Sequence, residues 1–190
     1  MSVLFLLLAL ASSATAGVVL DTNGDAVANG GAAYYILPDI FAKGGGLAQA
    51  STDNETCPLT VVQLPSEVQN GLPLRILSQA KIAVIKTDMG VDVSFIAVPA
   101  CSPAPSKWTV VVGEEGTKSV KITGYDNTLK GWFRIQNYNS LAYKIVFCPT
   151  DAGSCEDVGI SSDDYGNRGL VISNGNPFAV VFVKSPSLEA

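Results

Sequence analysis

Short runs of apolar, β-branched and aromatic residues recur along the whole chain, and turn residues separate them. The clearest runs predict strands over 34–37, 59–63, 74–77, 81–85, 91–98, 108–112, 120–123, 132–136, 143–147, 170–173 and 178–183. Their spacing is close to that of all-β sandwiches and barrels, and Asn-Gly turns such as Asn70-Gly71 fall between them. No window of helical length keeps a 3.6-residue period without a Gly or Pro. We therefore predict an all-β protein with one domain.

The N-terminal segment follows a different pattern. An apolar run over 3–11 is too short to cross a bilayer, which needs about 20 residues. Ala14-Thr15-Ala16 follows it and matches the small-residue pattern of a signal peptidase site. We predict a signal peptide over 1–16, although no Lys or Arg precedes the apolar run, and a mature domain over 17–190. The alternative to a signal peptide is that the apolar run forms a buried core strand at the N-terminus. The predicted location is secreted or vacuolar, through the secretory pathway, with no membrane partner.

Composition excludes several classes of function. The chain has 190 residues, 17 acidic and 12 basic side chains, a net charge of −5 and no His. Without His there can be no Ser-His-Asp or Cys-His triad, and no His can bind a metal. The acidic balance argues against a nucleic-acid partner. We expect no cofactor and no bound metal.

The predicted secretion affects how the four cysteines are interpreted. Cys57, Cys101, Cys148 and Cys155 are an even number, which in an oxidising compartment indicates disulfides. Three connectivities are possible from the residues alone. A four-cysteine zinc site would need two short spacings, and the chain has one. Asn54-Glu55-Thr56 is a sequon, so Asn54 is a possible glycosylation site on a surface loop.

Carboxylate motifs provide little evidence for catalysis. The segment Asp21 to Asp25 begins like a calcium loop but lacks the Gly and the bidentate Glu that an EF-hand needs, which favours a turn. Glu114-Glu115 and Asp163-Asp164 are adjacent pairs in turn-like contexts, which favours solvated loop charge. We predict that the protein is not an enzyme. Repeated Gln-x-Trp elements of a sugar-binding module are also missing.

A set of ordered motifs resembles the plant Kunitz family typified by soybean trypsin inhibitor. The resemblance runs from about residue 19 to 183 and departs from the usual pattern at Ala32-Ala33, where one residue is typical. The motifs that carry it lie at 19–25, 29–31 and 34–37 (Tyr34-Tyr35-Ile36-Leu37), at 44–47 and 57–63 (Cys57-Pro58-Leu59-Thr60-Val61-Val62-Gln63), and at 132–135, 143–149 and 157–160.

The resemblance implies a β-trefoil of twelve strands, with a six-stranded barrel, a hairpin cap and pseudo-threefold symmetry. It also implies that neighbouring cysteines pair, Cys57 with Cys101 and Cys148 with Cys155. Barrel closure leaves no open sheet edges, so function is expected to lie on loops.

The same resemblance implies a protease-binding reactive loop between the fourth and fifth strands. This loop corresponds to Ser78, Gln79, Ala80, Lys81, Ile82 and Ala83, with the scissile bond at Lys81-Ile82. Asn29 corresponds to the family's spacer residue, whose amide holds the loop carbonyls. The implied function is a secreted, monomeric inhibitor that binds a trypsin-like serine protease as a substrate would.

Alternatives remain for the loop and for the function. Periodicity alone favours an ordinary strand from Lys81 to Lys86. Two other basic positions, Arg75-Ile76 and Lys86-Thr87, compete with Lys81-Ile82 as the scissile bond. The family register places both of them in strands beside the loop. For the function, the alternative is a non-inhibitory storage or taste-modifying protein with the same fold.

Overall fold

Thirteen antiparallel strands form the fold in the part of the chain that the structure describes. The computed structural model describes residues 16–113 and 116–186. Apart from Ala16, the predicted signal peptide lies outside the described residues, and so does Glu114-Glu115. The strands are β1 Ala33–Pro38, β2 Leu47–Ala50, β3 Thr60–Gln63, β4 Leu74–Leu77, β5 Gly90–Phe95, β6 Ser106–Val112, β7 Lys118–Ile122, β8 Thr128–Leu129, β9 Gly131–Asn137, β10 Tyr143–Pro149, β11 Glu156–Ser162, β12 Arg168–Ser173 and β13 Ala179–Lys184.

Six of the strands pair in a closed ring. The pairings run from β1 to β4, β5, β9, β10 and β13, and β13 pairs with β1 again. Three hairpins, β2–β3, β6–β7 and β11–β12, join successive ring strands. The hairpins also pair with one another, through β3–β7, β3–β12 and β7–β12. This threefold order of ring strand, hairpin and ring strand is a β-trefoil, which confirms the predicted fold class.

The ring has two different ends. At one end residues 78–89 connect β4 to β5. At the other end the same strands lead into the hairpins, because β3 precedes β4 and β6 follows β5. We call the three hairpins together the cap. The predicted reactive loop therefore lies at the end of the ring opposite the cap.

Four aromatic side chains form a continuous row within the hydrophobic core. Phe95, Trp108, Phe133 and Phe147 lie in succession, with ring centroids 6.4, 5.6 and 5.2 Å apart. They come from β5, β6, β9 and β10, so they tie ring strands to the cap. Tilted and edge-on aromatic pairs add about 0.5–1.5 kcal/mol each beyond the burial of their area. Trp108 is 1% exposed and therefore belongs to the core, where it cannot serve as an exposed sugar platform.

Two disulfides close loops near the cap. Cys57 bonds Cys101 across 44 residues, and Cys148 bonds Cys155 across 7. This is the neighbour pairing that the family resemblance implies. On the chain-entropy account, closing loops of these lengths stabilises the fold by about 4 and about 2 kcal/mol.

Some strand predictions were wrong. Residues 81–85 form no strand, because the backbone of this segment bonds a distant side chain and the N-terminal segment instead of a neighbouring strand. The described residues hold thirteen strands where twelve were expected, and the two-residue β8 is the addition. The apolar runs also missed β2 and β11, whose sequences are LAQA and EDVGISS. Within the described residues, no helix is long and apolar enough to cross a membrane.

Candidate functional site

The segment Ser78 to Ala83, here the 78–83 loop, projects from the end of β4. Ser78 is buried at its base, with 8% exposure, whereas the next five residues are exposed. The backbone N–H of Ile82 donates to the carbonyl of Ala80 at 2.8 Å. This bond across two residues is a γ-turn centred on Lys81. Lys81 therefore lies at the apex of an outward-bowed loop.

Asn29 holds the 78–83 loop from below. Its side-chain Nδ2 donates to the carbonyls of Ser78, Ala80 and Ile82, at 3.2, 3.0 and 2.9 Å. Its Oδ1 accepts from the backbone N–H of Ser78 at 2.7 Å, and its own backbone N–H donates to the carbonyl of Ala83 at 2.9 Å. One amide thus binds alternate carbonyls along the loop and takes up backbone groups that a sheet would otherwise pair.

Gly30 explains how the chain turns directly after Asn29. Its φ is +72°, a conformation that residues with a Cβ rarely adopt. A Cβ at this position would also lie 2.9 Å from Cδ1 of Leu77. The backbone N–H of Gly30 donates to the carbonyl of Ile76 in β4 at 2.8 Å. The longer Ala32-Ala33 segment therefore does not move Asn29 away from the loop.

The N-terminal segment clamps the far side of the loop. Ile85 is fully buried, and its backbone bonds Val19 and Val27 at 3.0 and 2.8 Å. Isolated bridges add Val18 opposite Lys86 and Ala28 opposite Val84. The exposed apex is therefore fixed at both ends, through β4 on one side and through the buried Ile85 on the other.

The competing basic residues lie in different environments from Lys81. Within the described part of the chain, the Lys81 ammonium has no ion-pair or hydrogen-bond partner. Arg75 lies in β4, as predicted, and pairs with Ala33 of β1 and Ser94 of β5. Lys86 forms an isolated bridge and lies in no strand, so the predicted strand at Lys86-Thr87 is wrong. Ile76 and Thr87, which follow these two basic residues, are buried.

The remaining acidic motifs are turns. Asp21 Oδ1 accepts from the backbone N–H groups of Asn23 and Asp25 at 2.9 and 3.0 Å. Asp163 accepts in the same way from Tyr165 and Asn167. The side-chain amide of Asn167, followed by these backbone N–H groups, lowers the pKa of the Asp163 carboxyl. No group of metal-binding side chains occurs among the residues that the structure describes.

Sequence reasoning missed a polar cluster within the cap. It consists of Thr52, Glu55, Thr60, Lys121 and Tyr125, which we call the cap cluster. Lys121 Nζ lies 2.8 Å from Glu55 Oε1 and 2.6 Å from Thr60 Oγ1. The Lys121 and Glu55 side chains are only 11% and 10% exposed. Their separation of 66 residues gave no local signal that they would meet.

Burial and hydrogen bonding shift the pKa values of Glu55 and Tyr125 in the cap cluster. Burial raises the pKa of the Glu55 carboxyl, but bonds from Lys121, Tyr125, Thr52 and Thr60 outweigh it and lower the pKa overall. Burial and the bond to Glu55 raise the pKa of Tyr125, so its phenol stays protonated and donates to Glu55 Oε1. Asn54, the predicted glycosylation site, is exposed in the turn beside this cluster.

Comparison with known proteins agrees with the fold and identifies the family. A sequence profile described as trypsin and protease inhibitor, of the legume Kunitz type, matches residues 19–184. The chain is 41% identical over 173 residues to trypsin inhibitor DE-3 from Erythrina variegata, which covers 90% of this chain and 99% of that protein. The structure of soybean trypsin inhibitor is similar with a TM-score of 0.81 and 40% identity, over 88% of this chain and 99% of that one.

A complex is also among the similar structures. The inhibitor chain of the complex between porcine pancreatic trypsin and soybean trypsin inhibitor has a TM-score of 0.80 and 39% identity to this chain. The match covers 88% of this chain and 98% of the other. With the profile match over nearly the whole described chain, these similarities establish that the protein belongs to the legume Kunitz family of trypsin and protease inhibitors.

Proposed function

We propose that this protein inhibits a trypsin-like serine protease by binding as a substrate would, with Lys81-Ile82 as the scissile bond. The observation that carries the proposal is the set of bonds from Asn29 to the 78–83 loop, with Lys81 at the apex. Relatives that are named trypsin inhibitors, and a related inhibitor in complex with trypsin, support the same partner.

Lys81 suits the primary pocket of such an enzyme. A lysine ammonium on a long apolar stem can reach the carboxylate at the bottom of a trypsin-like pocket. Because Lys81 has no competing partner within the described chain, it enters the pocket without first breaking an ion pair. Ile82 is 37% exposed and is available for the adjoining apolar site. Lys81 would then be the buried anchor that carries most of the binding energy.

The rigidity of the loop explains inhibition in place of substrate turnover. A loop already held by Asn29 loses little conformational entropy when it binds. The same bonds keep the new amine of Ile82 near the acyl-enzyme after cleavage, so resynthesis of the peptide bond competes with hydrolysis. The protein would be a tightly bound and slowly processed substrate.

The family is described as protease inhibitors and not as enzymes.

The proposed location rests on the disulfides and on the predicted signal peptide. The two disulfides suit an oxidising compartment, and together with the predicted signal peptide at 1–16 they support a secreted or vacuolar protein. We further propose that the protein acts as a monomer. The non-inhibitory storage or taste-modifying alternative gains no support from a loop that retains both Lys81 and its Asn29 support.

Titration of trypsin with the purified mature protein tests the proposal directly. We expect stoichiometric loss of activity, and we expect Lys81→Ala to weaken inhibition at least about a hundredfold, because the pocket carboxylate is left unpaired. Lys86→Ala, which removes a nearby exposed lysine, is the matched control and should inhibit like the wild type. If the wild type does not inhibit trypsin, the hypothesis of a non-inhibitory protein is favoured. If Lys81→Ala inhibits as well as the wild type, the scissile bond lies elsewhere.

A further inference from the structure

A cleft lies at the opposite end of β1 from the 78–83 loop. β1 begins beside β4, where Ala33 pairs with Arg75, and ends at Pro38, roughly 17 Å further along the strand. The cleft has a volume of about 350 Å³, which is within the range of small-molecule sites. Its walls combine polar and apolar surface, and the apolar part includes Pro38, Ile40, Tyr138, Ile160, Pro177 and Phe178.

Two cations line this cleft, although the chain as a whole is acidic. They are Lys43 and Arg168, and no acidic side chain is among the described residues that line the cleft. Asp39, the carboxylate closest to it in sequence, accepts a hydrogen bond from Asn139 Nδ2 at 3.1 Å. In a protein of net charge −5, a cleft with two positive charges and no negative charge favours an anion.

Hydrogen bonds hold the Arg168 guanidinium and the backbone of Lys43 in place. Arg168 donates from Nε and Nη2 to Gln63 Oε1, at 3.0 and 2.6 Å, and from Nη2 to the carbonyl of Lys43 at 3.1 Å. Gln63, which is 2% exposed, donates from Nε2 to the same carbonyl at 3.0 Å. These bonds fix the guanidinium plane and the backbone of Lys43. The two N–H groups on Arg168 Nη1 and the Lys43 ammonium have no partner within the described chain.

The loops that form the cleft are also fixed. The backbone N–H of Asp39 donates to the carbonyl of Ala179 at 3.0 Å, and that of Phe178 donates to Val158 at 2.8 Å. Ile40 and Tyr138 remain 57% and 51% exposed at the rim. The cleft is thus a preformed site in which the Arg168 guanidinium is fixed, and preorganisation of this kind lowers the cost that a ligand pays on binding.

We propose that this cleft binds a small aromatic carboxylate. The ring packs against Tyr138 and Phe178, and the carboxylate accepts hydrogen bonds from Arg168 Nη1 and the Lys43 ammonium. Charged hydrogen bonds of this kind are about twice as strong as neutral ones, so the charge on the ligand decides its affinity. The site is separate from the 78–83 loop, and ligand binding leaves that loop free to bind a protease.

The test is a titration of the ¹⁵N-labelled mature protein followed by NMR. The probes are phenylacetate and phenylacetamide, which have nearly the same shape but differ in charge. We expect saturable phenylacetate shifts at Tyr138, Phe178 and Arg168, and about tenfold weaker binding of phenylacetamide. Equal affinity for the two probes, shifts that map to another surface, or no saturation at millimolar phenylacetate would each overturn the proposal.

Variants separate the charge from the apolar walls. Lys43→Gln should weaken phenylacetate severalfold and leave phenylacetamide unchanged, because the Lys43 side chain makes no bond that the fold requires. Tyr138→Ala should weaken both probes equally, and Lys130→Gln, an exposed lysine outside the cleft, should affect neither. Saturating phenylacetate should leave trypsin inhibition unchanged. A loss of phenylacetate binding in Lys130→Gln equal to that in Lys43→Gln would show that nonspecific attraction to lysine explains the binding.

Discussion

Different interactions stabilise the two ends of the trefoil. At the loop end, the neutral amide of Asn29 binds carbonyls of an exposed segment. Within the cap, the cap cluster joins a carboxylate to an ammonium with little access to solvent, and the Cys57–Cys101 disulfide closes a chain loop nearby. Changes at the loop end should therefore alter binding to a protease, whereas changes at the cap should alter stability.

Removing the Cys57–Cys101 disulfide should have the largest effect. Substituting both residues with Ala should lower the free energy of unfolding by about 4 kcal/mol, because the unfolded chain regains the entropy of a 44-residue loop. Urea unfolding followed by tryptophan fluorescence measures the loss. The trypsin inhibition constant of the folded variant, measured within minutes, should be unchanged. A large loss of affinity without a loss of stability would contradict the separation of the two ends.

Replacing Asn29 should have the opposite effect, changing inhibition more than stability. Asn29→Ala removes the side-chain bonds to the loop, so we expect inhibition to weaken about thirtyfold and cleavage of Lys81-Ile82 to become faster. Steady-state inhibition and mass spectrometry of the cleaved chain measure the two effects. The matched control is Asn139→Ala, because Asn139 Oδ1 accepts from the backbone of its own turn, at Leu141 and Ala142. Equal loss of inhibition in both variants would argue against a specific role for Asn29.

Acid should affect the cap more than the loop, and this is the smallest of the effects. Because the folded pKa of Glu55 is below its ordinary value of 4.5, its ionised form contributes stability that is complete above that value. This contribution is lost as the pH falls through the folded pKa. Glu55→Gln should cost about 1 kcal/mol at pH 7, since a charged acceptor becomes a neutral one.

The pH profile distinguishes the role of Glu55 from that of other acids. Thermal unfolding of the wild type and Glu55→Gln should differ at pH 7 and converge as the pH falls well below 4.5. Asp163, whose pKa is also lowered, remains in both proteins and cancels in the comparison. A constant difference at every pH would mean that packing, and not ionisation, explains the effect of the variant.

The sequence predicted the strands that carry dense β-branched and aromatic runs, but not those that lack them. β4 was predicted with its exact bounds, whereas β2 has only Leu47 as a large apolar residue. The 78–83 loop could not be found from periodicity, because its run from Lys81 to Ile85 has the composition of a strand. What prevents a strand there is Asn29, some fifty residues earlier in the chain. The family resemblance supplied that long-range information.

The cap cluster shows the same limit more strongly. Glu55 and Lys121 lie in segments with no shared motif, and they meet only because β3 and β7 pair at Thr60 and Lys121. A partner set by strand pairing between hairpins cannot be read from local spacing. The resemblance did not help here either, since none of its motifs includes Lys121.

The position of the Cys57–Cys101 bond determines what happens to a cut inhibitor. Cys57 precedes Lys81-Ile82 and Cys101 follows it, so the bond spans the proposed cleavage site. Hydrolysis there would open a ring within the molecule without dividing it in two. Both new chain ends would stay tethered at a high effective concentration, which no dilution in the surrounding fluid could lower. A nicked molecule would remain one covalent unit and could be religated by the protease that cut it.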